Sequence, residues 1–388
     1  MGENEQRKNN QLQNKSTTVS LLPGLLLCLI VILVGIFLAE QLGNLFILFG
    51  ILPEGSASPV SGIFVAIIIG IIIRNTIGLQ AFWQPGIAFA VKYALRAGIV
   101  LLGLRLSLTE ALKLGAWGLP LIIICITSGL FITLYFTNKL AQSNRLGTLI
   151  AGGTGICGVT AIMAISPVIK AKDNEISYAV ANITIFGLTG MLLYPYLAHI
   201  LFGGDPIKIG LFLGTAIHDT AQVTGAGLIY SQMFSMEKVI DVATVTKLTR
   251  NLFIIAVIPF VSYLFYKQID EKENATTLPK WYTFIPVFVV MFLVFSLIRT
   301  IGDATVQQAG QAFGFLEAGT WESFHTFWSD FGATYLLGIA MAGVGLSTDF
   351  SAFKGMGMKP FYIGLTAALS VGIVSLTLVS LFGHLIQL

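Results

Sequence analysis

The 388-residue chain is 55% hydrophobic and only 11% charged, with a mean hydropathy of +0.84. A soluble domain carries about 25% charged residues, so polar groups cannot cover this surface in water and its natural solvent is lipid. A net charge of +3 is too small and too dispersed for nucleic-acid binding, and Cys28, Cys125 and Cys157, all inside apolar stretches, form neither a disulfide framework nor a zinc site.

The polar tail Met1–Thr18 precedes Leu21–Leu38, an apolar run without a convincing signal-peptide cleavage site, which reads as the first membrane span. Runs of comparable length follow at Val60–Ile73, Ile87–Leu102, Leu119–Phe136, Leu146–Ile169, Ile176–Phe202 and Ile209–Tyr230. Four more lie at Val239–Tyr266, Trp281–Leu297, Phe331–Leu346 and Phe361–Leu385, which makes about eleven. They are continuous rather than alternating, so they predict helices and not barrel strands. The fold class is therefore an all-α polytopic membrane protein: a tail over residues 1–18 and a single membrane domain over 19–388.

Basic residues orient such a bundle. Arg7, Lys8, Lys15, Arg74, Lys92 and Arg96, with most basic residues of later connectors, fall on one side when the N-terminus is cytoplasmic. The stretch Gly302–Asp330 holds Asp303, Glu317, Glu322 and Asp330 and no Lys or Arg, which suits the outside. The expectation is N-terminus in, C-terminus out.

Two internal echoes stand out. Gly98–Pro120 aligns without gaps to Gly338–Pro360, sharing Gly98/Gly338, Gly103/Gly343, Ser107/Ser347, Gly115/Gly355 and Pro120/Pro360. The count places the two in opposite orientations, as in an inverted repeat. A second echo joins Gly153–Cys157 (GTGIC) to Gly214–His218 (GTAIH). Those spans share an orientation on the simple count, which leaves room for one of them to be re-entrant.

Three segments carry candidate chemistry. Gly152, Gly153, Gly155 and Gly158 interrupt one apolar run beside Thr154 and Cys157. Each glycine costs a helix about 1 kcal/mol relative to alanine. A broken helix there would aim a half-helix N-terminus and its free amides at an anion; close packing of small residues is the competing explanation. His218 and Asp219 lie near the middle of another run, among Thr215, Thr220, Gln222 and Thr224. Ionisable groups at that depth need partners or water, so they either bind substrate, carry a proton, or brace two helices. Lys247, Arg250 and Asn251, at i, i+3 and i+4, share one helix face. They lie deep if the helix starts near Val239 and snorkel at the surface if it starts near Leu252. Asn182 completes the polar set or makes a helix–helix hydrogen bond. No Walker A, G-x-S-x-G or H-E-x-x-H pattern occurs, which leaves ATP-driven transport and the commonest hydrolase mechanisms unsupported.

Together, LLGLRLS at Leu101–Ser107, GTGICGVTAI at Gly153–Ile162, PVIKAK at Pro167–Lys172, AIHDTAQV at Ala216–Val223 and VTKLTRN at Val245–Asn251 resemble the YeiH-like family. Its members are bacterial inner-membrane proteins that carry the label of sulfate exporters. The resemblance covers nearly the whole chain from Leu21. Cys157, His218, Asp219, Lys247 and Arg250 are family-typical, whereas Gly155 stands where the family often has Ser. The family is grouped with the cation/proton antiporter and bile-acid symporter superfamily. That grouping implies inverted repeats, broken and crossing helices near the bilayer midplane, and a core moving against a panel.

These residues point to a secondary transporter of a small anion, such as sulfate or a sulfonate, working by alternating access with a proton or cation as coupling partner. The candidate binding residues are Thr154, Gly155, Cys157, Asn182, Thr215, His218, Asp219, Gln222, Lys247, Arg250 and Asn251. The alternatives are an anion channel and an intramembrane enzyme with Cys157 as nucleophile and His218 as base. No cofactor, metal or nucleic acid is expected; a homodimer is left open.

Overall fold

The computed structural model describes residues 2–49, 58, 60–269, 286–353 and 357–386. The expected start of the ninth span, residues 281–285, and Lys272, Lys280 and Lys354 lie outside them. The described chain is almost wholly helical. In order it forms α1 (Gly2–Leu48), α2 (Gly62–Thr76), α3 (Gln84–Phe89), α4 (Leu95–Leu102) and α5 (Leu108–Lys139). There follow α6 (Asn144–Gly155), α7 (Val159–Ile165), α8 (Asp173–Phe202), α9 (Pro206–Ala216) and α10 (Thr220–Phe234). Next come α11 (Lys238–Leu252), α12 (Ile254–Ile269) and α13 (Val287–Ala309), then a two-stranded antiparallel ribbon of β1 (Gln311–Ala312) and β2 (Leu316–Glu317). The chain closes with α14 (Ala318–Phe331), α15 (Leu337–Ser347) and α16 (Met358–Phe382).

Among the described residues, seven helical segments are long and apolar enough to cross a bilayer, or eight if α11 and α12, bent by 47° about Phe253, are one span. The other expected runs are the short α2 and two interrupted segments, α6–α7 and α9–α10. The first interruption falls in the glycine-rich segment where a break is expected, and the second falls at His218 and Asp219.

Contacts gather the chain into two compact units. The first comprises residues 1–99 and 330–349. In it α1 packs on α2, α3 and α15. A Cβ on Gly24 would lie 2.2 Å from the Trp83 carbonyl oxygen, and one on Gly86 would lie 2.1 Å from that of Leu21. Only glycine lets these two backbones touch, the small-residue packing that holds helices together in lipid. Arg74 pairs with Asp349 at 2.8 Å.

The second unit comprises residues 100–329 and 350–388 and is organised around α8. Its 30 residues span about 45 Å at 1.5 Å per residue. The segment α6–α7 begins and ends beside the N-terminus of α8: Ser143 donates to Glu175, and Arg145 Nε donates to the Ile169 carbonyl at 3.3 Å. Between those ends the helices lie side by side, because a Cβ on Gly152 would meet Ile165 and one on Gly153 would meet Ile162. A helix running on across the bilayer would hold these residues far apart. The chain instead turns back, through Ile156 (φ −122, ψ −92) and Gly158 (φ +69, ψ −128), into a helical hairpin.

The segment α9–α10 is a second hairpin, entering from the opposite end of α8. His199, near the C-terminus of α8, stacks on Phe234 at 3.8 Å and bonds the Tyr230 hydroxyl at 2.8 Å, so α10 ends where α9 begins. Its tip reaches the middle of α8, where Gln222 Nε2 donates to the Thr184 carbonyl at 3.1 Å. The first tip packs at the same level, Gly153 against Ile183. The twelve residues of α6 and eleven of α9 give arms of about 17 Å, roughly half of a 30 Å hydrocarbon core. The arms α6 and α9 therefore run in opposite directions, and the GTGIC and GTAIH echoes end two antiparallel arms.

This topology predicts a labelling pattern. In a cysteine-free background, an impermeant maleimide is expected to reach cysteines at Ser143 and Lys170 from one face of the membrane, and cysteines at Lys208 and Lys238 from the other. If the members of a pair label from opposite faces, that segment crosses the bilayer instead.

Candidate functional site

Hairpin tips inside lipid create an electrostatic problem. Each ascending arm ends in carbonyls without helical partners, and each returning arm starts with free amides. The two ends behave as partial negative and positive charges, and the tip residues 154–158 and 215–218 are buried within the unit.

The carbonyl ends are met by α11. Its helix begins at Lys238, which places Lys247 and Arg250 inside the unit; both are 0% exposed. Lys247 Nζ donates to the Ile156 and Ile217 carbonyls at 3.1 Å each and to that of His218. Arg250 donates through Nε to Gly155 O at 3.0 Å, through Nη1 to Thr215 O at 2.6 Å, and through Nη2 to Thr154 O. Each cation thus bonds both tips, and the two tips are treated alike: Thr154 and Thr215 face Arg250, Ile156 and Ile217 face Lys247. Unsatisfied buried carbonyls are costly, and the two side chains satisfy six of them.

The amide ends converge on Asp219. It N-caps α10 by accepting from the Ala221 amide at 2.9 Å, and its carboxylate lies against Gly158, immediately before the first residue of α7. Gly158 leaves the room for this: a Cβ there would lie 2.8 Å from Asp219 Oδ2, and its positive φ disfavours any other residue. One carboxylate therefore lies at the N-termini of both returning arms. Backbone amides at helix N-termini make a general anion site, and Asp219 stands in it as an internal anion.

Other expected site residues are distributed around this core. The His218 ring is 2% exposed and lies against the Thr154 backbone, and its Nδ1 has no hydrogen-bond partner among the described residues. Gln222 Oε1 and Asn251 Oδ1 are likewise buried without one. Asn251 Nδ2 reaches Thr220 Oγ1 at 3.2 Å. Thr215 adds a hydroxyl bond to Ser375 of α16 at 2.6 Å, a partner that nothing in the apolar sequence around Ser375 marks out. Cys157 is buried near Lys247 and Asp219, and no hydrogen bond joins it to His218 among the described residues. Asn182 donates back to Tyr178 in its own helix at 2.9 Å and packs against Gly364 of α16.

The sequence profile described as conserved hypothetical protein 698 matches residues 23–364. A UPF0324 membrane protein of Streptococcus agalactiae serotype V is 32% identical over 363 residues, covering 93% of this chain and 98% of the relative. Those of Fusobacterium nucleatum and Nitratidesulfovibrio vulgaris are each 30% identical, covering 93% of this chain and 98% and 93% of their own lengths. The chain belongs to the UPF0324, or YeiH-like, membrane protein family. The segments GTGIC, AIHDT and VTKLTRN of this chain are the two hairpin tips and the helix face that joins them.

Arg250→Met leaves three carbonyls on two tips unmet and is expected to cost about 3–5 kcal/mol of stability, read by thermal unfolding of the detergent-purified protein. Arg250→Lys recovers little of it, because a single ammonium cannot reproduce the guanidinium fork.

Proposed function

We propose that this UPF0324 protein is a secondary transporter that carries a small anion, of the sulfate or sulfonate kind, together with a proton by alternating access. The observation that carries this reading is Asp219, whose carboxylate caps α10 through the Ala221 amide and lies against Gly158 at the start of α7. The same donors cannot hold Asp219 and a substrate anion at once. An incoming anion takes the amides only when Asp219 accepts a proton and withdraws as a neutral acid, so one proton accompanies one anion. His218, with Nδ1 unpaired, is the neighbouring group able to hand that proton over. The direction of flow then follows the two gradients. Lys247 and Arg250 supply positive potential at the tips without contacting the substrate.

The hairpins also support a bacterial inner-membrane orientation with the N-terminus cytoplasmic and the C-terminus outside. A first hairpin that does not cross puts Lys170 and Lys172 on the same side as Lys139 and Arg145, and moves only Lys208 to the other side. The positive-inside bias strengthens.

Flux of radiolabelled sulfate into liposomes under an imposed pH gradient is the test. Asp219→Asn mimics the protonated acid permanently, so it is expected to abolish proton-driven accumulation while leaving anion-for-anion exchange. His218→Ala is expected to slow proton-coupled flux by about tenfold or more. Full proton-driven accumulation in both variants removes them from the mechanism. Sulfonates are assayed in parallel as competing substrates.

A further inference from the structure

The surroundings of the Lys247 ammonium are those of a bound monovalent cation. Its three N–H donors meet three backbone carbonyls, those of Ile156, Ile217 and His218, and no side-chain hydroxyl or amide takes part. An ammonium has three donors and no acceptor, so the set is complete. The carbonyls come from the C-terminal ends of α6 and α9, the type of half-helix end and unwound backbone that coordinates alkali cations in transporters. Rings of carbonyls that replace a hydration shell are also how channels hold K⁺. Asp219 lies close enough to Lys247 to interact with it electrostatically and supplies the counter-charge. The site is dry, since Lys247, Ile156 and Ile217 are 0–1% exposed, so it admits an ion stripped of water and excludes bulky organic cations.

We infer that Lys247 fills a carbonyl cage whose chemistry is that of a monovalent-cation site, so that the chain carries its own cation and runs without Na⁺ or K⁺. Removing the side chain opens the cage to an external ion. The unbranched stem of Lys247 then leaves a slot that methylammonium fits, and K⁺, close to ammonium in size, fits the oxygens. The statement about Na⁺ and K⁺ independence rests on the transporter reading. The cage itself does not, because its occupancy is read from stability rather than from flux.

The test uses the purified full-length protein in choline chloride, titrated separately with methylammonium, K⁺ and Na⁺ chlorides. The wild type is expected to unfold at the same temperature in every salt. Lys247→Ala is expected to unfold at a lower temperature and to recover by about 4 °C or more at saturating methylammonium or K⁺, with no recovery in choline. Lys247→Gln keeps two donors toward the carbonyls without the charge, is expected to stay folded, and shows the same ordering with smaller shifts. A folded Lys247→Ala or Lys247→Gln that is indifferent to methylammonium and K⁺, or that responds equally to choline, overturns the proposal. So does failure of Lys247→Ala to accumulate in any of these salts while Lys247→Gln is folded and unresponsive. Absence of sulfate and sulfonate flux in the wild type, with cation rescue intact, overturns the transporter reading alone.

Discussion

The second unit depends on one constraint: six backbone carbonyls at the tips of two helical hairpins must be satisfied where lipid, not water, is the solvent. Two cations on successive turns of α11 do this, and each reaches both hairpins. At the complementary amide ends, Asp219 caps α10 and lies against Gly158 at the start of α7. Negative helix ends meet fixed positive charge and positive ends meet fixed negative charge, so opposed dipoles become a tie between segments that enter from opposite ends of α8.

Burial gives these contacts their weight. A surface ion pair contributes about 0–1 kcal/mol, and Arg74–Asp349, with both side chains partly exposed, is of that kind. Lys247 and Arg250 have no exposure at all, so their alternative to the tip carbonyls is a charge stranded in apolar surroundings. The same reasoning explains why they do not form direct hydrogen-bonded pairs with acidic side chains. Their donors are consumed by backbone, and Asp219 caps α10, which leaves the three charges arranged around the tips.

Much of this was legible in the sequence. The glycines at 152, 153, 155 and 158, the adjacent His218 and Asp219, and the Lys247, Arg250 and Asn251 face each mark a real element, because helix-breaking residues and charges inside apolar runs need a reason. The echo of Gly153–Cys157 in Gly214–His218 was visible too. Its meaning was not, since a linear count of crossings gives both segments one direction, and only the packing of Gly152 on Ile165 shows that the chain turns back. Which charges meet which groups was equally hidden. A cation beside a broken helix carries no mark in the sequence of which helix end it faces, and here both face the carbonyl ends. Asn182 reads in the sequence as part of the lining or as a helix–helix hydrogen bond, and in the structure its amide nitrogen donates to the Tyr178 carbonyl one turn back in its own helix. Ser375 carries no local signal, because a lone serine in an apolar helix commonly bonds its own backbone.

Arg250 bonds Thr154 and Gly155 on one hairpin and Thr215 on the other. Neither tip can swing aside as an independent gate without tearing donors from a desolvated guanidinium. The cheap motion keeps both tips clamped and shifts them as one piece.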